Sequence, residues 1–270
     1  MPPPVLTRQQ IRRVDALAIE RYGMTGLVLM ENAGRGAVDA LLAFDPSLQS
    51  GEERSPLAGP PRGPGGGAER LATANPEGVA LRLAANPLTH AAPRVVILCG
   101  KGNNAGDGFV IARHLEIRGV AARVLMLAPP LELTGDARAN FAILQHTDVP
   151  IVDVSSGPLE PQLTQHAADA AWLVDALLGT GATGEPREPF ATAIRWMNAQ
   201  PARRLAVDLP SGLDCDSGEP DVATVRADLT TTFVAAKPGF LVPEAKPYVG
   251  ELRIIDIGVP PRLVREAAAV

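Results

Sequence analysis

The chain has 270 residues, with 25 lysines and arginines against 30 aspartates and glutamates, for a formal net charge of −5. That balance excludes a broad electrostatic claim on nucleic acid or on an anionic membrane surface, and a 46% hydrophobic fraction excludes a wholly disordered chain. Glycine and proline, at 26 each, are the unusual counts, and their distribution decides whether they mean a turn-rich fold or one insert in an ordinary domain.

The amino end begins Met1-Pro2-Pro3-Pro4 and continues into a charged amphipathic segment, unlike a secretory signal. Ile11, Val14, Leu17 and Ala18 recur at helical spacing, so a helix is predicted from Thr7, as N-cap, to about Tyr22, stopped by Gly23. A second helix is expected from Gly26 to Phe44, and the two form an N-terminal helical layer. From Asp45 to Pro93 the composition breaks, with Pro60-Pro61 and Gly63-Pro64-Gly65-Gly66-Gly67, no aromatic residue and only a helix-like patch at Val79 to Ala85. Such a segment buries too little apolar area to offset its ordering entropy, and reads as a flexible insertion, 45–93, within a single domain of residues 1–270.

After Pro93 the pattern alternates. Apolar strand runs are predicted at Arg94–Cys99, Ala122–Leu127, Pro150–Val154, Trp172–Leu178, Arg204–Leu209, Leu229–Ala236 and Glu251–Ile257, with helices at about Asp107–Arg118, Thr134–His146 and Glu188–Asn198 among them. Strand–helix alternation with short loops argues for a mainly parallel sheet covered by helices on both faces, a three-layer α/β/α sandwich. No apolar run reaches the ~20 residues that span a bilayer. Cys99 and Cys215 lack metal-ligand spacing, and His90, His114, His146 and His166 are each isolated, so zinc is not expected and a reducing, cytoplasmic setting is.

In open parallel sheets ligands sit outside the carboxyl ends of the strands, and three segments place polar residues there. Gly100-Lys101-Gly102-Asn103-Asn104-Ala105-Gly106-Asp107-Gly108 joins the first strand to a helix, where glycines permit close backbone approach and helix N–H groups favour an anion such as phosphate. It is neither the dinucleotide fingerprint nor a Walker loop; its plainer reading is a tight turn. Asp175 lies inside an apolar strand, where a carboxylate is costly unless paired, hydrogen-bonded or on a metal; Gly179-Thr180-Gly181-Ala182-Thr183-Gly184-Glu185 follows, a phosphate cradle or an ordinary loop. Asp208-Leu209-Pro210-Ser211 ends a further strand, with an Asx-type turn as its plainer reading. A serine nucleophile is not indicated, since no nucleophile elbow is present and no histidine is placed as base. Together these oxygens suit a hard cation and a phosphorylated small molecule.

These segments, with Ala227-Asp228-Leu229-Thr230-Thr231-Thr232-Phe233, Lys237-Pro238-Gly239 and the lead-in Leu29-Met30-Glu31-Asn32-Ala33-Gly34, resemble the NAD(P)H-hydrate epimerases, the YjeF N-terminal-domain family. The resemblance covers nearly the whole chain outside 45–93. It implies a Rossmann-like three-layer fold and an isomerase that epimerises the R and S forms of the hydrated nucleotides NADHX and NADPHX in metabolite repair. By the same resemblance Asn103, Asn104, Ala105, Gly106, Asp107 and Gly179, Thr180, Gly181, Ala182, Thr183, Gly184, Glu185 bind the nucleotide's phosphates. Asp208 contacts the substrate and is the candidate catalytic acid/base, and Asn104, Asp175 and Ser211 match the family's potassium (K+) ligands. The family's Asn-Asn-Gly-Gly-Asp has Ala105 at its third position here, which weakens binding only if that residue needs positive φ or close backbone approach. Lys237 is either an electrostatic aid or part of a structural turn. A separate ADP- or ATP-dependent NAD(P)H-hydrate dehydratase is the implied functional partner, and the resemblance also allows a homodimer. The competing reading is a non-catalytic ligand-binding or scaffold module of the same fold; intact Asp107, Asp175 and Asp208 favour the enzyme.

Overall fold

The computed structural model describes residues 4–49 and 94–269. Seven strands, β1 (Val95–Cys99), β2 (Ala122–Met126), β3 (Ile151–Asp153), β4 (Trp172–Ala176), β5 (Arg203–Val207), β6 (Leu229–Phe233) and β7 (Glu251–Ile255), form one sheet in the order β3-β2-β1-β4-β5-β6-β7. Every neighbouring pair is parallel. The chain starts in the middle of the sheet, winds outward through β2 and β3, then returns to the far side of β1 as β4. The β1/β4 boundary is therefore the topological switch point, where loops leaving adjacent strands diverge and open a crevice.

The aliphatic run of β1 is buried at all five positions because its two faces serve different cores. Val95, Ile97 and Cys99 pack with α2 (Gly26–Phe44), α3 (Asn103–Ile117) and α4 (Gly135–Leu144). Val96 and Leu98 pack with α5 (Leu159–Ala167) and α6 (Phe190–Ala199) on the opposite face. This is the expected α/β/α sandwich. α1 (Arg8–Tyr22) starts at a capping box between Thr7 and Gln10 and ends at Gly23 in the left-handed region at φ 65°, as its sequence predicts. It packs with α8 (Pro261–Ala268), α2 and the chain after β6, burying Val14 and Ala18 against Leu29, Ala33, Ala235 and Leu263.

Two differences from the sequence reading bear on the site. α3 begins at Asn103 rather than near Asp107, so Asn103–Asp107 form its first turn and not a loop before it. The first residues of the expected insertion are packed: Pro46–Leu48 make a 3-10 turn with Leu48 buried, and Asp45 accepts a 2.9 Å hydrogen bond from Trp172 Nε1. The rest of the insertion, its Val79–Ala85 patch included, lies outside the described residues. α5, α8 and a short α7 (Lys246–Val249) were not singled out by periodicity.

Candidate functional site

Three chain segments meet where β1, β4, β5 and β6 end. The α3 turn comes close to the sheet because its glycines allow it. A Cβ on Gly108 would lie 2.8 Å from Ala176 Cβ and 3.0 Å from Cys99 Sγ, and one on Gly106 would lie 2.5 Å from Met30 Sδ. Gly106 and Gly108 are thus required by helix packing. Ala105 is fully buried in the core with an α-helical backbone, so its methyl group neither strains the turn nor faces a ligand. Among Asn103 to Asp107 the exposed side chain is Asn103; Gly102, which precedes the helix, supplies no side-chain cap, leaving the helix start open to an anion.

Asn104 turns inward. Its Nδ2 donates to the Leu178 carbonyl at 2.9 Å, while its buried Oδ1 has no partner among the described residues. Flipping the amide would set oxygen against oxygen at Leu178, so the orientation is fixed by chemistry. Asp175, fully buried at the end of β4, accepts from Ser211 Oγ at 2.7 Å, Ser211 N at 2.8 Å and Leu177 N at 3.2 Å. Burial pushes its carboxyl up to about 6, against the pull of those donors. Leu178 N in turn donates to Ser211 Oγ at 3.0 Å. Asn104, Asp175 and Ser211 thus converge around Leu178, bringing an orphaned amide oxygen, a desolvated carboxylate and a hydroxyl together. Oxygen donors of this type fit a hard cation, which would give the Asn104 Oδ1 a partner. Gly179 to Glu185 run above this cluster as a loop held by an Ala182 N to Gly179 O bond of 3.0 Å. Gly179, Thr183 and Gly184 line a shallow depression with Ser211 and Gly212.

The charged centre of the site lies one strand further along. Asp208 follows β5 with φ 67°, rare for a residue with a side chain; Leu209 N donates back to Val207 O at 2.9 Å, closing a three-residue turn. Val234 repeats the device after β6, at φ 66°, with Ala235 N bonded to Phe233 O at 2.7 Å. Such backbones cost of order 1–3 kcal/mol each and collect at functional sites. Here the first turn aims the Asp208 carboxylate at Lys237. Lys237 is completely buried, donates from Nζ to Asp208 Oδ1 and Thr232 Oγ1, and lies 5.9 Å from the centre of the Phe240 ring. The Lys-Pro-Gly segment is therefore both a turn and a site element. Gly239 sits too close to the Asp214 and Cys215 carbonyls to carry a side chain.

Two further carboxyls act on this pair. Asp107, 8% exposed in the first turn of α3, has its pKa raised well above the usual carboxylate range by burial and by Asp208 and Asp15, with Lys237 opposing. Asp15, an exposed residue of α1, is raised to about 6 by desolvation from the surrounding protein and by the charge of Asp208, with Lys237 opposing. Asp107 is thus within electrostatic reach of the Asp208–Lys237 pair from its buried place in the first turn of α3. Sequence reasoning missed Asp15 altogether: an acid on an amphipathic helix carries no local signal. Thr232 lay within a quoted motif without a role.

The family model described as YjeF-related protein N-terminus matches residues 26–239. A protein of Pirellula staleyi named NAD(P)H-hydrate epimerase is 43% identical over 266 residues, covering 98% of this chain and 97% of its own. One of the same name from Rhodopirellula baltica is 38% identical, covering 97% and 88%. A bifunctional NAD(P)H-hydrate repair enzyme of Salinibacter ruber is 34% identical over 98% of this chain but only 43% of its own length. Among solved structures, yeast ynu0 (YNL200c) superposes with a TM-score of 0.70 over 98% of this chain and 93% of that one, at 19% identity, which shows a shared fold.

Proposed function

The chain belongs to the family of YjeF-related protein N-termini, and we propose that it is an isomerase interconverting the R and S forms of NADHX and NADPHX in metabolite repair. The observation that carries the reading is the buried Asp208–Lys237 pair, built on a strained turn at the sheet's carboxyl edge beside two glycine-rich segments. Inverting a ring carbon that bears a hydroxyl, with no net redox change, requires a bond at that carbon to break and re-form, and a group that takes a proton and returns it. Asp208 fills that role. The ammonium of Lys237 pairs with one of its oxygens and fixes its rotamer, while the open edge of the crevice leaves its second oxygen for substrate.

The nucleotide's phosphates belong at the open start of α3, near Asn103, and along Gly179 to Glu185, where backbone N–H groups are the donors. Asn104, Asp175 and Ser211 would hold K+. A bound monovalent cation supplies positive charge beneath those two segments, and the orphaned Asn104 Oδ1 is the feature of this chain that fits it. An NAD(P)H-hydrate dehydratase, the second activity of a repair system, is the functional partner this reading entails. Incubating a non-equilibrium mixture of R- and S-NADHX with the protein and separating the epimers by chromatography tests it. Equilibration faster than the protein-free control is expected; a mixture that ages only at the control rate refutes the enzyme in favour of a non-catalytic module.

A further inference from the structure

β6 carries three threonines in a row, and all three are fully buried. Valine would suit a buried central strand as well by shape and propensity, so each hydroxyl has to be accounted for by a partner. Thr230 Oγ1 donates to the Val249 carbonyl at 2.7 Å, and Thr231 Oγ1 reaches the Ala206 carbonyl at 3.5 Å, so both hydroxyls are satisfied by backbone. Thr232 differs, because its partners are two charged side chains. Val207 pairs in register with Thr231, and Asp208 N donates to Thr231 O at 2.7 Å, so the next residue along β6 comes up beside Asp208. There Thr232 Oγ1 accepts from Lys237 Nζ and lies 3.5 Å from Asp208 Oδ1, the same carboxylate oxygen that Lys237 engages.

We infer that Thr232 is the positioning residue of the site: by accepting from Lys237 and donating to Asp208 Oδ1, its hydroxyl commits that oxygen to the protein and leaves Oδ2 as the atom that exchanges a proton with substrate. This rests on the epimerase reading, in which Asp208 is the group that takes a proton and returns it. The direction of each bond follows from the chemistry of the three groups. An ammonium has donors and no acceptor, so Thr232 Oγ1 must accept from Lys237, and its own proton is then free for the carboxylate oxygen beside it. Lys237 alone would not select one oxygen over the other. A lysine is a compact point charge on a flexible stem, and the terminal torsion of an aspartate is broad and roughly two-fold, so an ion pair between them fixes a charge without fixing a plane. A second donor, set on a rigid strand and aimed at the same oxygen, supplies what the ion pair lacks. All hydrogen bonds to this carboxylate from the described residues go to Oδ1. The ammonium is closed in on a further side by the Phe240 ring, 5.9 Å from Nζ, and has no exposure to solvent, whereas the Asp208 side chain keeps 13% of its surface open. Thr232 and Lys237 thus form the closed back of the pair and Asp208 its open front.

The experiment measures kcat and KM for R-to-S interconversion in the wild type, Thr232→Val and Thr232→Ser, with thermal melting of all three. Thr232→Val keeps the branched shape and removes the hydroxyl; Thr232→Ser keeps the hydroxyl and removes the methyl group from a fully buried position. For a positioning role, Thr232→Val is expected to lower kcat on the order of 10- to 100-fold, the scale of a misplaced reacting group, with KM nearly unchanged because the phosphates are held elsewhere. Thr232→Ser is expected to recover most of that rate even though it melts lower than the wild type. A role in packing gives the opposite order, with valine active and serine impaired, and overturns the assignment. An active wild type whose Thr232→Val variant keeps its kcat, or loses only in KM, overturns it and leaves the epimerase reading standing. A folded Thr232→Ser variant that loses the rate overturns it whether or not Thr232→Val folds. An inert wild type overturns both readings.

Discussion

Replacing Lys237 by Met removes the ammonium but keeps the aliphatic stem, in a position with no exposure to solvent. Asp208, its side chain 13% exposed, is then left without the ammonium it pairs with. Breaking a buried ion pair from one side typically costs ~3–5 kcal/mol, because the remaining charge is left uncompensated in a poorly solvated place, and a loss of about that size is expected. Urea denaturation reads it by linear extrapolation. Adding Asp208→Asn to Lys237→Met removes both charges and is expected to recover most of the loss. A deficit below about 1 kcal/mol, or strict additivity of the two substitutions, would refute the pairing as the energetic centre of the site.

Asp107→Asn keeps the shape of a carboxyl whose neutral form is favoured by burial and by two neighbouring acids. Because its folded pKa is raised, the wild type loses stability as pH climbs from about 4; the variant lacks that loss, and the difference between their denaturation curves widens with pH. Asn104→Ala deletes the orphaned Oδ1 and the 2.9 Å bond to Leu178 O. The wild type is expected to melt higher in potassium chloride than in lithium chloride at equal ionic strength, and the variant to show no difference between the salts; equal melting of the wild type in both would remove the cation site. Gly108→Ala gains about 1 kcal/mol of helix propensity but forces a methyl group to within 2.8 Å of Ala176 and 3.0 Å of Cys99. A net loss of about 1–2 kcal/mol by denaturation is expected, and a stabilised variant would show that α3 can lift from the sheet.

The sheet was legible because burial on both faces of a parallel strand leaves a continuous aliphatic run. Val95 to Cys99 could be little else, and every predicted strand appears within a few residues of its place. The α3 boundary was not legible, since Asn103 to Gly108 read as loop by composition: two glycines and two asparagines are poor helix formers. What makes them helical is tertiary, the need for Gly106 and Gly108 to let α3 lie against Met30, Ala137 and the ends of β1 and β4.

The same distinction separates what could be seen of the site from what could not. Asp175, Asp208 and Ser211 stand out because a polar residue at the end of an apolar run has a place in the fold implied by the run itself. Lys237 stands out only weakly, as one of three lysines in the chain. Asp15 has no such marker: on α1 it is one charge among many, and its electrostatic coupling to Asp208 and Lys237 follows a backbone pairing between residues 4–6 and 236 that no local pattern announces. Residues placed by their own strand are thus readable from sequence, and residues placed by a contact between distant segments are not. The excess of glycine divides along the same line. At Gly212, φ is 90° and a Cβ would lie 2.0 Å from the Ala223 carbonyl, whereas at Gly102 and Gly181 a Cβ would meet nothing within 4 Å. Gly212 is there for the fold. Gly102 and Gly181 are not needed for packing, and both border the crevice where the phosphates are proposed to lie, so alanine at either position should lower affinity for the nucleotide while leaving the melting temperature unchanged.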